Sequence, residues 1–327
     1  VETVRALAEE AGSLNRIGED TLPARVFTGG MQQVIQRRLN KISPSLQPIQ
    51  QLAAVLGREI DTRLLAQAYD DATVDAWLNN AADYSVLAIQ DNTWRFAHDK
   101  LRETIIADIP DNELLKTHRT AAGTIEAVYP DDEDYNEALL GHWQQVSDLD
   151  KIYHYTLPVA DNMIKIIGAY AKAEVLLQNL LDRLSPDDRR RIIPLNSLAD
   201  SVRRKGNYDL SNTNATRARE LATIHDDLHG LATSLHILGI IAHSQGDYEQ
   251  ATDLYRQSLA IRQDSGNQSG IAASLNNLGG VAWNQGDYER ATDLYQQSLA
   301  IRQQLGDQSG ITDSLYNLGV IARTQGD

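Results

Sequence analysis

Few side chains in this sequence are spaced for chemistry, and His98 stands out among them. It sits in the run Arg95-Phe96-Ala97-His98-Asp99, where an imidazole can accept or donate a proton near neutral pH. Histidine is of intermediate burial in folded proteins, so the plainer expectation is a ring that closes a strand and bonds to nearby backbone. Asp99 is expected to cap the helix that follows. The stretch Asp131-Asp132-Glu133-Asp134 has the charge of a calcium loop. Such loops need glycine at the sixth position, and Asn136 stands there, so a solvated turn is expected. Arg189-Arg190-Arg191 and Arg203-Arg204-Lys205 are read as solvated helix faces, either of which could meet an acidic partner. A phosphate-binding loop needs Gly-Lys followed by Ser or Thr, and no lysine follows a glycine anywhere in the chain. Neither His-Glu-x-x-His nor Gly-x-Ser-x-Gly occurs. There are no cysteines, hence no thiolate nucleophile, disulfide or thiolate-bound zinc. The expectation is a chain that is not an enzyme, with no catalytic centre, no metal and no cofactor of its own.

Composition narrows the class further. At 327 residues the chain is long enough for two or more domains. A net charge of −15 and an isoelectric point near 4.9 argue against a protein built to hold nucleic acid or an anionic membrane. No apolar run approaches the roughly 18 residues of a membrane span, and no signal peptide is visible. A cytoplasmic location is the default expectation. The chain starts at Val1 without methionine, which suggests a piece of a longer protein.

The elements that would position any site come from an internal repeat. GDYEQATDLYRQSLAIRQDSGNQSGIAASL at 246–275 and GDYERATDLYQQSLAIRQQLGDQSGITDSL at 286–315 match at 23 of 30 positions, offset by 40 with no insertion. A third copy begins at Tyr316. Gly286 can end a helix in the left-handed conformation and Asp287 can cap the next. Gly306-Asp307 does the same at the other turn. Leu278, Leu294, Tyr295 and Leu299 recur at helical spacing as a buried seam. GAYAKA at 168–173 and GNYDLS at 206–211 read as worn copies, so degenerate units are expected between about 140 and 235.

Each unit resembles a tetratricopeptide repeat: Leu275, Leu278-Gly279, Ala282, Ala291 and Tyr295 follow the family pattern, as do Leu235, Leu238-Gly239, Ala242, Ala251 and Tyr255. The period of 40 is similar to the longer repeat of kinesin light chains and many bacterial signalling proteins. The resemblance implies a superhelix whose first helices line a concave groove for a protein or peptide. Projected at i, i+4, i+7 and i+8, those helices present His236, Ile240, His243 and Ser244; then Asn276, Gly280, Trp283 and Asn284; then Tyr316, Val320, Arg323 and Thr324. The worn first unit presents Asn196, Asp200, Arg203 and Arg204. Asparagine amides donate and accept at once, which suits a peptide backbone, and Trp283 adds area with a donor. Leu315, Leu318 and Ile321 would lack a covering second helix, so the array is expected to continue past Asp327.

The first half carries another pattern. SPSLQPIQQLAAVLG opens on Ser43-Pro44, a helix start, and closes on Gly57. Asp61 caps a second helix and Thr73–Leu87 forms a third. Two short apolar runs then flank Asp91-Asn92, a hairpin signal, and a further helix runs to Pro110. Pro158 is expected to break or kink a later helix. Residues 20–170 resemble the winged-helix segment of STAND signalling ATPases. Ala97, His98 and Asp99, with Leu101-Arg102 following, match the family's Met-His-Asp motif, and Thr28-Gly29-Gly30 resembles the turn ending its ATPase lid. The resemblance implies that His98 faces ADP phosphates bound on an upstream nucleotide-binding domain and holds an off state. DNA binding is not expected, because the helix TVDAWLNNAADYSVL carries Asp75 and Asp83 and no Lys or Arg.

The expected fold is mainly α: a winged-helix module with a small β-hairpin, then an α-α superhelix of tetratricopeptide type. Its domains would be 1–40, the remnant of an ATPase lid or linker; 41–110, the winged helix; 111–195, helical linker and degenerate repeats; and 196–327, the 40-residue repeats. The expected function is protein or peptide recognition within a multidomain signal-transduction ATPase. The alternatives are a stand-alone scaffold without a nucleotide switch and, less favoured, a DNA-binding regulator.

Overall fold

Capping residues and turn chemistry set out sixteen α-helices and one hairpin in a computed structural model that describes residues 26–326. The chain divides into two compact units, with the boundary after Tyr155. Of the lid or linker remnant expected over 1–40, residues 1–25 lie outside the described residues.

The first unit begins with α1 (Val26–Leu39). Thr28-Gly29-Gly30 falls inside this helix rather than in a turn. Ser43 and Pro44 open a short 3-10 turn that runs into α2 (Gln47–Leu56). Asp61 caps α3 (Thr62–Ala68) by accepting from the Arg63 N–H at 3.0 Å. Asp70 caps α4 (Asp71–Asp83) through Thr73 at 2.8 Å. The third helix thus ends four residues before Leu87, which instead starts β1 (Leu87–Gln90). β1 pairs antiparallel with β2 (Thr93–Phe96), Leu87 opposite Phe96. Asp91 and Asn92 both take positive φ, 50° and 63°, as a two-residue hairpin turn of matching twist requires. The other edge of β2 is also used. Ile60 N–H donates to the Trp94 carbonyl (2.8 Å) and Phe96 N–H to the Arg58 carbonyl (3.1 Å), so the segment between α2 and α3 forms an isolated antiparallel bridge, Glu59 opposite Arg95.

Four helices follow: α5 (Asp99–Ala107), α6 (Asp111–Val128), α7 (Asn136–Val146) and α8 (Leu149–Asn162). α8 runs through Pro158 and ends only at a π-helical turn, Met163–Ile167. One apolar cluster built on Ile49, Leu52, Trp77, Phe96 and Leu101 extends from Ile35 to Ala121. It joins α1 through α4, the hairpin, α5 and α6. Arg102 ties α5 to α2 by donating Nε to the Ala54 carbonyl at 2.7 Å. Beyond it, the Glu126 carboxylate holds α6, α7 and α8 together. It accepts from Trp143 Nε1 (3.0 Å), Lys151 Nζ (3.0 Å) and Tyr155 Oη (2.8 Å).

The second unit is a run of antiparallel helix pairs: α9 (Tyr170–Arg183), α10 (Ile192–Arg204), α11 (Tyr208–Ile224), α12 (Leu228–Ser244), α13 (Tyr248–Asp264), α14 (Gln268–Asn284), α15 (Tyr288–Leu305) and α16 (Gln308–Gln325). The starts at 208, 248 and 288, and at 228, 268 and 308, keep the 40-residue period into the worn copy. Gly286 takes φ +80° and Asp287 accepts from the Arg290 N–H at 3.2 Å, as the turn required. In the worn copy Asp226 adopts the left-handed conformation at φ 53° where later units have glycine; aspartate tolerates it better than most residues. Among the described residues no helix is long and apolar enough to cross a membrane.

Two contacts set the pairing. Gly239 lies against the fully buried Tyr255 ring, and Gly279 against Tyr295 one period later. Ser258 and Ser298 donate Oγ to the Ala232 and Ala272 carbonyls at 2.7 and 2.8 Å, tying each second helix to the one before it. Ile321, expected to lack a cover, is 2% exposed and packs with Ala291 and Tyr295; Leu315 is 53% exposed. The difference is rotational: Ile321 lies on the face of α16 that meets α15.

Candidate functional site

The first helices of successive pairs, α10, α12, α14 and α16, form one layer. α10 packs beside α12 and α12 beside α14. Hydrogen bonds offset by 41 residues stitch the layer: the Asn277 carboxamide meets His236 at 3.2 Å, Asn284 meets His243 at 2.6 Å, and Asn317 meets Asn276 at 3.2 Å. The offset is one period plus one residue, because neighbouring first helices lie side by side with a small axial shift.

A cleft of about 370 Å³ opens on this layer. α10 supplies Asn196, Asp200, Arg203 and Arg204; α12 supplies His229, Thr233, His236, Ile237 and Ile240; Asp161 and Lys165 come from the end of α8 and the π turn. The helical spacing puts Asn196, Asp200 and Arg203 on one face. Asn196 is 5% exposed; its Nδ2 donates to the Gly230 carbonyl at 3.2 Å, while its Oδ1 has no partner. Arg203 and Arg204 both donate to Asp200, and the Arg203 Nε is buried and unpartnered. Burial pushes the Asp200 carboxyl up, but the bonds from Arg204 and Arg203 outweigh it and the net shift is downward.

His236 is the floor of the cleft. Burial, then the Arg262 and Arg203 charges, push its imidazole down to about 3, so it is neutral at physiological pH. Arg262 Nη1 lies 3.2 Å from His236 Nδ1 and also donates to the Gly270 carbonyl (3.0 Å) and Ser274 Oγ (2.9 Å). On its other side, Asn277 Nδ2 lies 3.2 Å from His236 Nε2, so the ring stands between a guanidinium and a carboxamide. One period on, Arg302 donates to the Gly310 carbonyl and Ser314 Oγ in the same way. Behind His236, the Tyr255 hydroxyl is buried without a partner, and burial raises its pKa.

Of the residues projected from the sequence, the cleft gathers His236, Ile240, Asn196, Asp200, Arg203 and Arg204. His243, Asn276 and Asn284 lie along the same layer, bonded to neighbours as above. Burial lowers the His243 pKa. Trp283 and Tyr316 are 37% and 72% exposed, and Arg323 is exposed; none of these three lines the cleft. Sequence reasoning missed Arg262, Asn277 and His229. Arg262 had a signal, since Arg302 repeats it at the 40-residue period.

In the first unit, His98 rather than Asp99 caps α5. Its Nδ1 accepts the Lys100 N–H at 3.1 Å, and Asp99 instead pairs with Arg58 at 3.3 Å. His98 is exposed. The basic runs are engaged rather than simply solvated. Arg190 pairs with Asp188 (2.8 Å), Arg191 donates to the Leu181 and Leu184 carbonyls, and Lys205 pairs with Glu174 (2.9 Å). Asp132 caps a turn over 133–135, and among the described residues no group of three or more potential ligands is placed to hold a metal.

A family model for the tetratricopeptide repeat matches residues 190–264 and 270–327. These segments are tetratricopeptide repeats. The first match covers the worn copy that holds Asn196 and Arg203. No curated protein matches the sequence. Among solved structures, the chain is similar to a signal transduction ATPase with numerous domains (STAND) carrying a tetratricopeptide repeat sensor, from Pyrococcus horikoshii. That similarity has 14% identity and a TM-score of 0.56, and covers 94% of this chain and 50% of that one. It is also similar to the Rap conjugation gene regulator of plasmid pLS20 in complex with the Phr* peptide, at 16% identity and TM-score 0.51, covering 68% of each chain. The chain thus spans half the length of the STAND protein, and at these identities the likeness is one of fold.

Proposed function

We propose that this chain is the peptide-sensing and relay part of a multidomain signal-transduction ATPase and has no catalytic centre of its own. The observation that carries the reading is the cleft of about 370 Å³ on the repeat layer, where the arginines Arg203 and Arg204 and the apolar wall of Ile237 and Ile240 offer a peptide both donors and apolar contact. The pLS20 regulator, a neighbour in fold, is in complex with a peptide.

The relay half of the reading rests on the first unit. Three helices and a hairpin, with a backbone bridge from Glu59 to Arg95 between the first two of those helices, support reading it as a winged helix. His98 also suits a phosphate contact: with Nδ1 accepting at the α5 cap, the neutral ring carries its hydrogen on Nε2 and offers it as a donor. A protein with a STAND ATPase's organisation would supply the nucleotide from a domain outside this sequence. Its partners would then be a peptide or protein in the cleft and that nucleotide-binding domain, in the cytoplasm.

Two measurements test the reading. Calorimetric titration of the 327-residue chain with ATP and ADP is expected to show no binding, and micromolar affinity would refute it. In the longer protein, His98→Ala is expected to speed ADP release; an unchanged rate would remove the switch and leave a scaffold.

A further inference from the structure

The first unit holds a cavity of its own, of about 420 Å³, a size at which small molecules bind. Leu56 of α2, Ile60 of the bridged segment and Leu64 of α3 give it an apolar floor, and Tyr135 lines it as well. Tyr135 stacks on Tyr129 with ring centroids 4.4 Å apart, which fixes the aromatic part of the wall.

Three charged side chains line the cavity: Glu59, Asp61 and Arg63. Asp61 is spent. It accepts from the Arg63 backbone N–H (3.0 Å), from Arg63 Nε (3.1 Å) and Nη2 (3.0 Å), and from the Tyr129 hydroxyl. That is four bonds to a carboxylate, which has about four lone-pair sites. Arg63 is held but not spent. Its guanidinium lies over the Tyr129 ring at 5.0 Å and gives Nε and Nη2 to Asp61, which leaves Nη1 with two hydrogens to donate. Glu59 meets Arg95 Nη2 through Oε1 at 2.8 Å and keeps lone pairs for a second cation. The Arg63 and Glu59 side chains are 70% and 62% exposed, so a ligand in the cavity reaches both.

One free donor cation and one free acceptor anion thus stand over an apolar floor. A simple anion would meet Arg63 in the company of two carboxylates. A simple cation would meet a carboxylate already shared with Arg95, with the Arg63 charge in the same cavity. A ligand that carries both charges matches each with its opposite.

We propose that this cavity binds a small zwitterion with an apolar body, the chemistry of an α-amino acid or a dipeptide with large apolar side chains. Its carboxylate lies on Arg63, its ammonium on Glu59, and its apolar side chain on Leu56, Ile60 and Leu64. The proposal stands whether or not the repeats bind a peptide.

The test is calorimetric titration of the whole chain with phenylalanine and with leucyl-phenylalanine. Each is compared with its acetylated form, which lacks the ammonium, and its amidated form, which lacks the carboxylate. The free zwitterion is expected to bind at least about tenfold more tightly than either blocked form, the worth of one charged hydrogen bond. Glu59→Gln is expected to bring the free form to the level of the acetylated one, and Arg63→Gln to the level of the amidated one, with the melting curve unmoved. If Arg63→Gln unfolds, Glu59→Gln decides. Tighter binding by the amino acid or by the dipeptide supports the site equally and sets the length of its ligand. Equal binding of free and blocked forms would overturn the zwitterion. A preference for the free form that survives Glu59→Gln would overturn the site, and no binding by any form would overturn the proposal as a whole.

Discussion

Three glycines one period apart, Gly239, Gly279 and Gly319, provide a test in which the same substitution changes sign along one array. A methyl added at Gly239 would lie 2.7 Å from ring carbons of Tyr255, which is 0% exposed and has nowhere to move. At Gly279 it would meet the Tyr295 ring at 2.9 Å, and at Gly319 it would meet nothing within 4 Å. Overpacking a filled core costs about 1–3 kcal/mol, whereas alanine gains up to about 1 kcal/mol over glycine in a helix interior. Gly239→Ala should therefore destabilise by about 1–2 kcal/mol and Gly279→Ala by slightly less. Gly319→Ala should stabilise by up to about 1 kcal/mol. In a unit of this size each kcal/mol moves the melting temperature by about 2–4 °C. Urea unfolding followed by circular dichroism, with a thermal melt beside it, reads all three. A stabilising Gly239→Ala, or a Gly319→Ala as damaging as Gly239→Ala, would refute the argument that ring contact, not helix propensity, dictates glycine here.

Other outcomes follow from the buried polar groups. The Nδ1 atoms of His118 and His142 meet at 2.9 Å; burial, then the His118 and Arg102 charges, push His142 down to about 4. A folded pKa below the unfolded 6.5 means the unfolded chain binds the proton more tightly. This contribution is whole above about pH 6.5 and is lost as pH falls toward 4, to about 3 kcal/mol in all. His142→Gln should flatten the stability profile over that window, and an unchanged slope counts against it. Arg262→Met should cost about 2–3 kcal/mol, since the Gly270 carbonyl and Ser274 Oγ lose a charged donor, and should raise the His236 pKa in an NMR titration by removing the nearby charge; a fixed pKa would contradict the contact. Tyr255→Phe removes a buried hydroxyl without a partner and is expected to leave unfolding unchanged or raise the midpoint; a loss above 1 kcal/mol would show that the hydroxyl is satisfied.

Much of the architecture was legible because it is written in short-range signals. Gly286 and Asp287 can end one helix and cap the next on backbone grounds alone, and Asp91-Asn92 specify a tight hairpin within two residues. The 40-residue period needed only self-comparison. Legibility failed where two neighbouring residues could do the same job, as with His98 and Asp99. Both can accept at a helix start, and the strand exit places His98 at the cap while Asp99 turns to Arg58. Of the two outcomes expected at Pro158, a break does not occur: its ring disfavours a helix interior, yet α8 continues through it to Asn162.

The site divides along the same line. Periodicity alone determined which residues share the face of each first helix, because a helix has one geometry, and so placed Asn196, Asp200, Arg203 and His236 together on the layer. Only the tertiary structure decided which of them remain available. Asp200 is consumed by two arginines, His236 is held neutral by burial and Arg262, and His243 and Asn276 spend bonds on neighbours 41 residues away. Partners that far apart depend on how adjacent pairs pack, and packing is set by contacts such as Gly239 against Tyr255 that no single helix contains.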